Sequence, residues 1–557
     1  MSAPAVPVRV PWFSRVYGLG SVYAKALRDS RLSLIIMVGL TAGLMLVVGA
    51  AIGQDMATPA SREDLVRLVE SMPPILIGLA GNPVNVGTLG GYLSWKYGPF
   101  FALIVSIWLI MGLSSALAAE AQRGSLDFIA ATPLGRRRIA LEKLSAHLTL
   151  LAVVLVILAT CTGLAGALFG TVPGDAISSE AAINFALWVG LIGLASGSVA
   201  FALAPFVGRG SAAGVAGVLM MAGFLVNGYA PSVPLFRSIS GFTWFSWTSG
   251  NLPLAGRFDW ASLAPVALVA AVLLVVGVEG FARRDLGVTT GIRLPPLPTA
   301  LLGVRGPASR SFGERLPLAV QWGIGIGLLG VMMGAGARAF ADVLAAASPG
   351  TLAFFHAAFP NYDLTSAGSF LELTFVAFGF IIAGFAASTL VAGWGSDERR
   401  GRLEMVLATP TVRARWAVAS GIGLYWSIVV VTALLAAGLA IGAAIAGGDV
   451  ATPVLGSLVV GIYAAALAGI GLAVGGVFGV SIAGEVVAGL VIVTFLIDLV
   501  VPALHWPDWV HQLALTSHFG QPMIGNWDPV GIIASLVIAV GGLAIGAWGM
   551  SRRDLNA

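Results

Sequence analysis

Ala119-Glu120-Ala121-Gln122-Arg123-Gly124-Ser125-Leu126-Asp127 runs on to Ala131-Thr132-Pro133-Leu134-Gly135-Arg136. A shift of 277 positions gives Ser396-Asp397-Glu398-Arg399-Arg400-Gly401-Arg402-Leu403-Glu404, then Ala408-Thr409-Pro410-Thr411-Val412-Arg413. Without a gap, Arg, Gly, Leu, Ala, Thr, Pro and Arg are identical, and an acid is kept at Glu120/Asp397 and Asp127/Glu404. A second pair of matches follows: Ala282-Arg283-Arg284-Asp285-Leu286 and Ser551-Arg552-Arg553-Asp554-Leu555. The chain is therefore duplicated, and what surrounds the repeated segment decides the fold.

What surrounds it is apolar. Hydrophobic residues make up 58% of the 557 and charged residues 10%, with a mean hydropathy of +0.94. A chain of that composition has the bilayer as its main solvent. A hydrocarbon core roughly 30 Å thick needs about 20 apolar residues per helix. Runs of that kind give twelve expected spans, near 32–52, 98–119, 145–170, 181–207, 211–230, 261–281, 318–337, 368–394, 417–446, 452–479, 484–502 and 528–550. The expected fold is an all-α integral membrane protein of two parallel six-helix repeats. Its expected parts are an amphipathic elbow (1–31), a first half (32–282), a linker rich in proline and arginine (283–317) and a second half (318–557). The first apolar run begins near Leu32 behind a polar stretch, so no cleaved leader is expected.

Orientation follows from charge. Of the 30 Arg and Lys residues, 24 fall at 1–31, 120–143, Arg209, 283–315, 399–415 and 552–553, which are alternate loops. The positive-inside rule makes that side, and both termini, cytoplasmic. The pI near 9.4 is then an orientation signal, and a nucleic-acid partner is not expected.

Each repeated segment follows an acid at the inner end of a span and offers a short amphipathic helix (Leu126, Phe128, Ile129; Leu403, Met405, Val406, Leu407). It stops at Thr132-Pro133 or Thr409-Pro410, where proline cannot continue a helix. A positive-inside loop explains the arginines but not the retained Gly124/Gly401, Leu126/Leu403, Thr and Pro. A knob beneath each half suits docking onto a symmetric dimer.

The pattern Glu-x-x-Arg-Gly-x-Leu-(Asp/Glu)-x5-Thr-Pro resembles the coupling segment of ABC-2 type permeases, the type V ABC exporters. The fused double-length form resembles actinobacterial tetronasin-resistance and multidrug exporter permeases. The resemblance implies two copies of a separate ATPase that bind ATP and Mg, with no cofactor in this chain. It assigns the ATPase contact to Glu120, Arg123, Gly124, Leu126, Asp127, Thr132, Pro133 and Arg136, and to Asp397, Arg400, Gly401, Leu403, Glu404, Thr409, Pro410 and Arg413. It also implies re-entrant outer elements at 231–260 and 503–527, an elbow helix that is shorter in the second half, and residence in a bacterial plasma membrane. Spans two and five of each half would then line the path, with Trp95, Tyr97, Phe100, Phe101 and Trp108 in the second span of the first half and Phe375, Phe378 and Phe385 in its counterpart. A path of aromatics without charges favours a hydrophobic or amphiphilic cargo, an antibiotic or a lipid.

Other chemistries fit less well. A P-loop needs Gly-x4-Gly-Lys-(Ser/Thr), and the lysines Lys25, Lys96 and Lys143 do not follow glycine. The chain is accordingly read as no enzyme. His147, His356, His505, His511 and His518 lack metal-site spacing. Cys161 stands alone in an apolar run. The alternative is an ion-driven secondary transporter, for which Glu279, Glu372, Glu485 and Asp498, all near span ends, would be the titrating groups.

Overall fold

The computed structural model describes residues 20–71, 77, 81, 83–122, 135–230, 234–283, 306–345, 366–372, 377–395, 398, 403–408, 411–503 and 506–553. It divides into two compact units, Met1–Arg293 and Leu294–Ala557. The protein is an all-α integral membrane protein: among the described residues eleven helices are long and apolar enough to cross a bilayer, and a shorter one, Phe378–Trp394, stands where the eighth span is expected. Helices suit this solvent because each satisfies its own backbone N–H and C=O groups away from water.

In the first unit α1 (Val22–Asp29) precedes α2 (Arg31–Asp55), α3 (Pro59–Ser71), α4 (Leu89–Leu117), α5 (Arg136–Phe169), α6 (Ser179–Val207), α7 (Arg209–Tyr229) and α8 (Trp260–Arg283). The second unit has α9 (Pro307–Ala345), α10 (Ala377–Trp394), α11 (Leu403–Leu407), α12 (Arg413–Ile445), α13 (Ala451–Phe478), α14 (Val480–Ala503) and α15 (Pro529–Arg552). In each unit the fourth span is the hub: α6 packs on α4, α5, α7 and α8, and α13 on α10, α12, α14 and α15. Their sequences suit that place, since small residues (Gly190, Gly193 and Gly197; Gly469, Gly471, Gly475 and Gly476) let neighbours approach closely. The weak break expected at Arg209 is real and is repeated. Gly208 (φ 81°) and Gly479 (φ 115°) end α6 and α13, and the next span starts at once.

Two expected boundaries are corrected. The second span begins at Leu89, not near 98. Thr88 caps it by accepting from the Gly91 amide at 3.1 Å, and a π-helical turn, Leu93–Tyr97, carries the polar Trp95-Lys96-Tyr97 stretch into the helix. Lys96, read from sequence as a loop cation, is therefore helical. The seventh span starts earlier too, because residues 307–316 are continuous with it. Ser311 donates to the Ser420 carbonyl at 2.5 Å and Arg315 to that of Leu390 at 3.2 Å, which fastens this first part of α9 along the bundle. In the first unit the elbow is separate. Ser21 caps α1, and Tyr23 ties it to α5 through Glu142 (3.2 Å) and Thr149 (3.0 Å).

Candidate functional site

Each unit enters and leaves by the same end, where the arginines cluster, called here the basic end. In the second unit this end is built around α11. Leu403 is 1% exposed and roots the helix, whereas Met405 is 67% exposed and points away. Val406, on the inner side, lines a cleft of about 190 Å³ with Arg310, Ser311, Arg315, Trp394 and Trp416. Trp394 and Trp416 stack at 5.9 Å, and the Trp394 indole donates to Ser420 at 2.7 Å. This polar grip holds two large aromatic rings beneath a five-residue helix that is too short to be stable alone.

The same end is latched by a bidentate ion pair. Arg553 donates from both terminal nitrogens to Glu398, each at 2.7 Å, and the two side chains are 17% and 10% exposed. Parallel paired N–H···O bonds of this kind are the strong geometry for Arg and carboxylate. Arg413 donates to the Arg553 carbonyl at 2.9 Å, so the start of α12 and the end of α15 close on the segment that leads to α11. Arg552 lies 4.6 Å over the Trp548 ring. Sequence reasoning singled out Asp397 and Arg413 and missed Glu398 and Arg553. The available signal was the repeated Arg-Arg-Asp-Leu at the end of each half, which was used to count the repeat and not to find a partner.

The first unit solves the same problem differently. Arg137 pairs with Glu279, and Arg283 reaches Glu279 at 3.9 Å. Arg137 and Arg283 are 64% and 83% exposed, so these pairs are screened and contribute little. Glu120 lies on the helix Gly98–Gln122 and Arg136 opens α5. Arg123, Gly124, Leu126, Asp127, Thr132 and Pro133 lie outside the described residues, as do Asp397, Arg400, Gly401, Thr409 and Pro410.

At the far end, both expected outer segments contain the same device. Leu252 bridges Arg257 around Pro253–Ala255, and β1 (Gly520–Gln521) pairs with β2 (Asn526–Trp527) around Pro522–Ile524. Each turn closes on a left-handed glycine, Gly256 (φ 78°) and Gly525 (φ 80°). Each hairpin sits against the opening turn of a span through a glycine. A Cβ on Gly90 would lie 2.6 Å from the Leu254 carbonyl oxygen, and one on Gly368 2.6 Å from that of Met523. In the second unit the Met523 amide also donates to the buried Glu372 at 2.7 Å. Asp498 accepts from Thr516 at 2.7 Å and meets His511 at 3.3 Å, so α14 is tied to the outer segment.

A buried ion pair locks the far end of the first unit. Arg62 on α3 donates to both oxygens of Asp175, at 2.9 and 2.5 Å, and also to the carbonyls of Met56 and Gly87. Asp175 accepts from the amides of Leu89, Thr171 and Val172. Burial works against the Asp175 charge, but the Arg62 guanidinium and those three amides outweigh it and hold the carboxyl well below the usual range. The opening turn of α4 is thereby pinned to the loop before α6.

The aromatics expected along the path separate into two sets. Trp95 is buried, packs with Val69 and Val86, and donates to the Gly81 carbonyl at 2.6 Å. Phe101 is buried edge-on against Phe185, and the Trp108 indole donates to Ser33 at 2.8 Å. Tyr97, Phe100, Phe378 and Phe385 are only half-buried and offer accessible ring surface. Phe375 lies outside the described residues. Among the described residues no group of three or more His, Cys, Asp or Glu is placed to hold a metal ion.

No curated protein matches the chain. Residues 314–550, which hold all of the second unit from the end of the 307–316 segment almost to the terminus, match the family described as multidrug efflux system permease Rv1217c, C-terminal domain. The second unit is similar to a multidrug efflux permease domain, and that similarity supports a transport permease role in a multi-pass membrane protein.

Proposed function

We propose that the chain is the permease subunit of an ATP-binding-cassette exporter of the ABC-2, type V kind. In this reading it carries a hydrophobic or amphiphilic molecule, of the antibiotic or multidrug class, out of a bacterial cell across the plasma membrane. Two copies of a separate ATPase, which bind ATP and Mg, dock on the repeated segments, and the basic end faces the cytoplasm. The observation that carries the reading is α11: a short helix rooted by Leu403, latched through Glu398 and Arg553, and displaying Met405 outward. Its sequence is repeated in the other half at Arg123, Gly124, Leu126, Thr132 and Pro133.

A rooted helix of this kind transmits a push. Closure of the ATPases on ATP would displace both knobs, and the latch would pass that displacement to α12 and α15. The half-buried Tyr97, Phe100, Phe378 and Phe385 would offer cargo an apolar, π-rich surface.

The test is transport into inverted membrane vesicles that contain the chain with and without the ATPase encoded beside it, read with a lipophilic fluorescent dye. The reading requires uptake that depends on ATP and on the ATPase and survives a protonophore. Uptake by the chain alone that collapses with the ion gradient would establish a secondary transporter instead.

A further inference from the structure

The second span of the first unit carries one accessible stripe with a cation at its head. Lys96, Phe100, Ile104, Ile107 and Met111 follow one another at spacings of three and four, which places them on one helix face. Lys96 is exposed, Phe100 and Ile104 are half-buried, and Ile107 and Met111 are 47% and 45% exposed. From Lys96 to Met111 the helix rises roughly 22 Å.

The head of the stripe is built. The Lys96 ammonium donates to the Tyr92 hydroxyl at 3.1 Å and lies 5.4 and 5.6 Å from the centres of the Tyr92 and Tyr97 rings. Asp55, at the end of α2, acts on it electrostatically. The Lys96 side chain stays accessible beside these partners. The π-helical turn Leu93–Tyr97 carries this head, and π-helical residues recur at Leu371 and Glu372 in the second unit. The stripe of the second unit, with Phe378, Ile382 and Phe385 half-buried, has Thr374 and no lysine at the matching place.

We propose that this stripe binds an anionic amphiphile, its carboxylate or phosphate on Lys96 between Tyr92 and Tyr97 and its apolar tail along Phe100, Ile104, Ile107 and Met111. That such a molecule is cargo rests on the transport reading above; that the site binds it does not. The path is then not charge-free, as the sequence led us to expect, and the first unit selects the head group.

The experiment is equilibrium binding to the full chain in nanodiscs without ATP or ATPase. The probes are a fluorescent dodecanoate and its methyl ester. A charge-assisted contact corresponds to about a tenfold preference for the acid. Lys96→Gln should abolish that preference, Lys96→Arg should keep it, and Phe100→Ala should weaken acid and ester alike. Comparing phosphatidylcholine discs with discs containing phosphatidylglycerol identifies the source of the anion. Displacement of the probe by phosphatidylglycerol assigns the site to a bilayer lipid, and no displacement assigns it to a free amphiphile; either supports an anion site. Equal affinity for acid and ester, binding of neither, or a preference that survives Lys96→Gln overturns the proposal. Because no ATP is present, an ATPase that fails to couple would leave these results unchanged and would count only against the exporter reading.

Discussion

The two units repeat one plan, and among the described residues their buried bidentate ion pairs lie at opposite ends. The first buries a strong ion pair at the far end, Arg62 with Asp175, and the described residues of its basic end include the exposed Arg137 and Arg283 around Glu279. The second buries its pair at the basic end, Arg553 with Glu398. At its far end the fastenings are single contacts: Met523 donates to the buried Glu372, Asp498 accepts from Thr516 and meets His511, and the exposed Asp449 accepts from the Ala451 and Thr452 amides. Among the described residues, one half places its buried bidentate pair among its outer loops and the other at the root of α11.

The comparison breaks most sharply at the buried pairs. Arg62→Ala strands a buried carboxylate and should cost about 3–5 kcal/mol locally. Hydrogen exchange should show lost protection in 59–71 and at the opening turn of α4, with the basic end unchanged. Arg553→Ala should cost somewhat less, about 2–3 kcal/mol, because its partners are partly exposed and the loss is one of charge-assisted bonds. It should loosen α11, read as faster proteolysis between 395 and 412, and leave the far end intact.

How far the comparison was legible in the sequence depends on which residues carry it. The repeat was plain, because Arg-Gly-x-Leu and Thr-Pro return at a fixed spacing and apolar runs of span length need no partner to be recognised. Six spans per half and the break before Arg209 follow from composition and breakers, whereas the outer elements at 231–260 and 503–527 came from the family resemblance. The ion pairs follow from neither. Arg62 and Asp175 are 113 residues apart and Glu398 and Arg553 are 155 apart, and no local pattern joins such partners. The start of α4 was misread for a related reason. The residues before Trp95 are too polar and glycine-rich to show a helix by composition, and Thr88 capping and the seat of Gly90 under Leu254 reveal one.

Packing offers a further way to sharpen the contrast. α9 and α12 approach so closely that a Cβ on Gly438 would collide with the Gly327 carbonyl oxygen. Gly438→Leu should cost about 1–3 kcal/mol by overpacking and lower the thermal midpoint of the second unit only. The pH response should separate the halves as well. Asp175 has its folded-state pKa depressed, so its stabilisation is complete above the ordinary carboxylate value near 4 and is lost only as pH falls below it, through the folded value. Acid titration should therefore release α3 only well below pH 4, and Arg62→Ala should remove that transition. The smallest effect is expected at Trp548→Ala, about 0.5–1 kcal/mol, from the exposed cation–π contact with Arg552.

The most direct test of the docking claim uses the two faces of α11. Leu403 is buried, so Leu403→Asp would damage the knob itself, whereas Met405→Asp alters only its outward surface. The measurement is the amount of ATP-binding protein that co-purifies with the tagged chain from its native membrane. The account predicts two copies with the unaltered chain and a loss of at least tenfold with Met405→Asp, at unchanged membrane content and thermal midpoint. Full retention of the ATP-binding protein by Met405→Asp, or a chain that purifies with none, would contradict it.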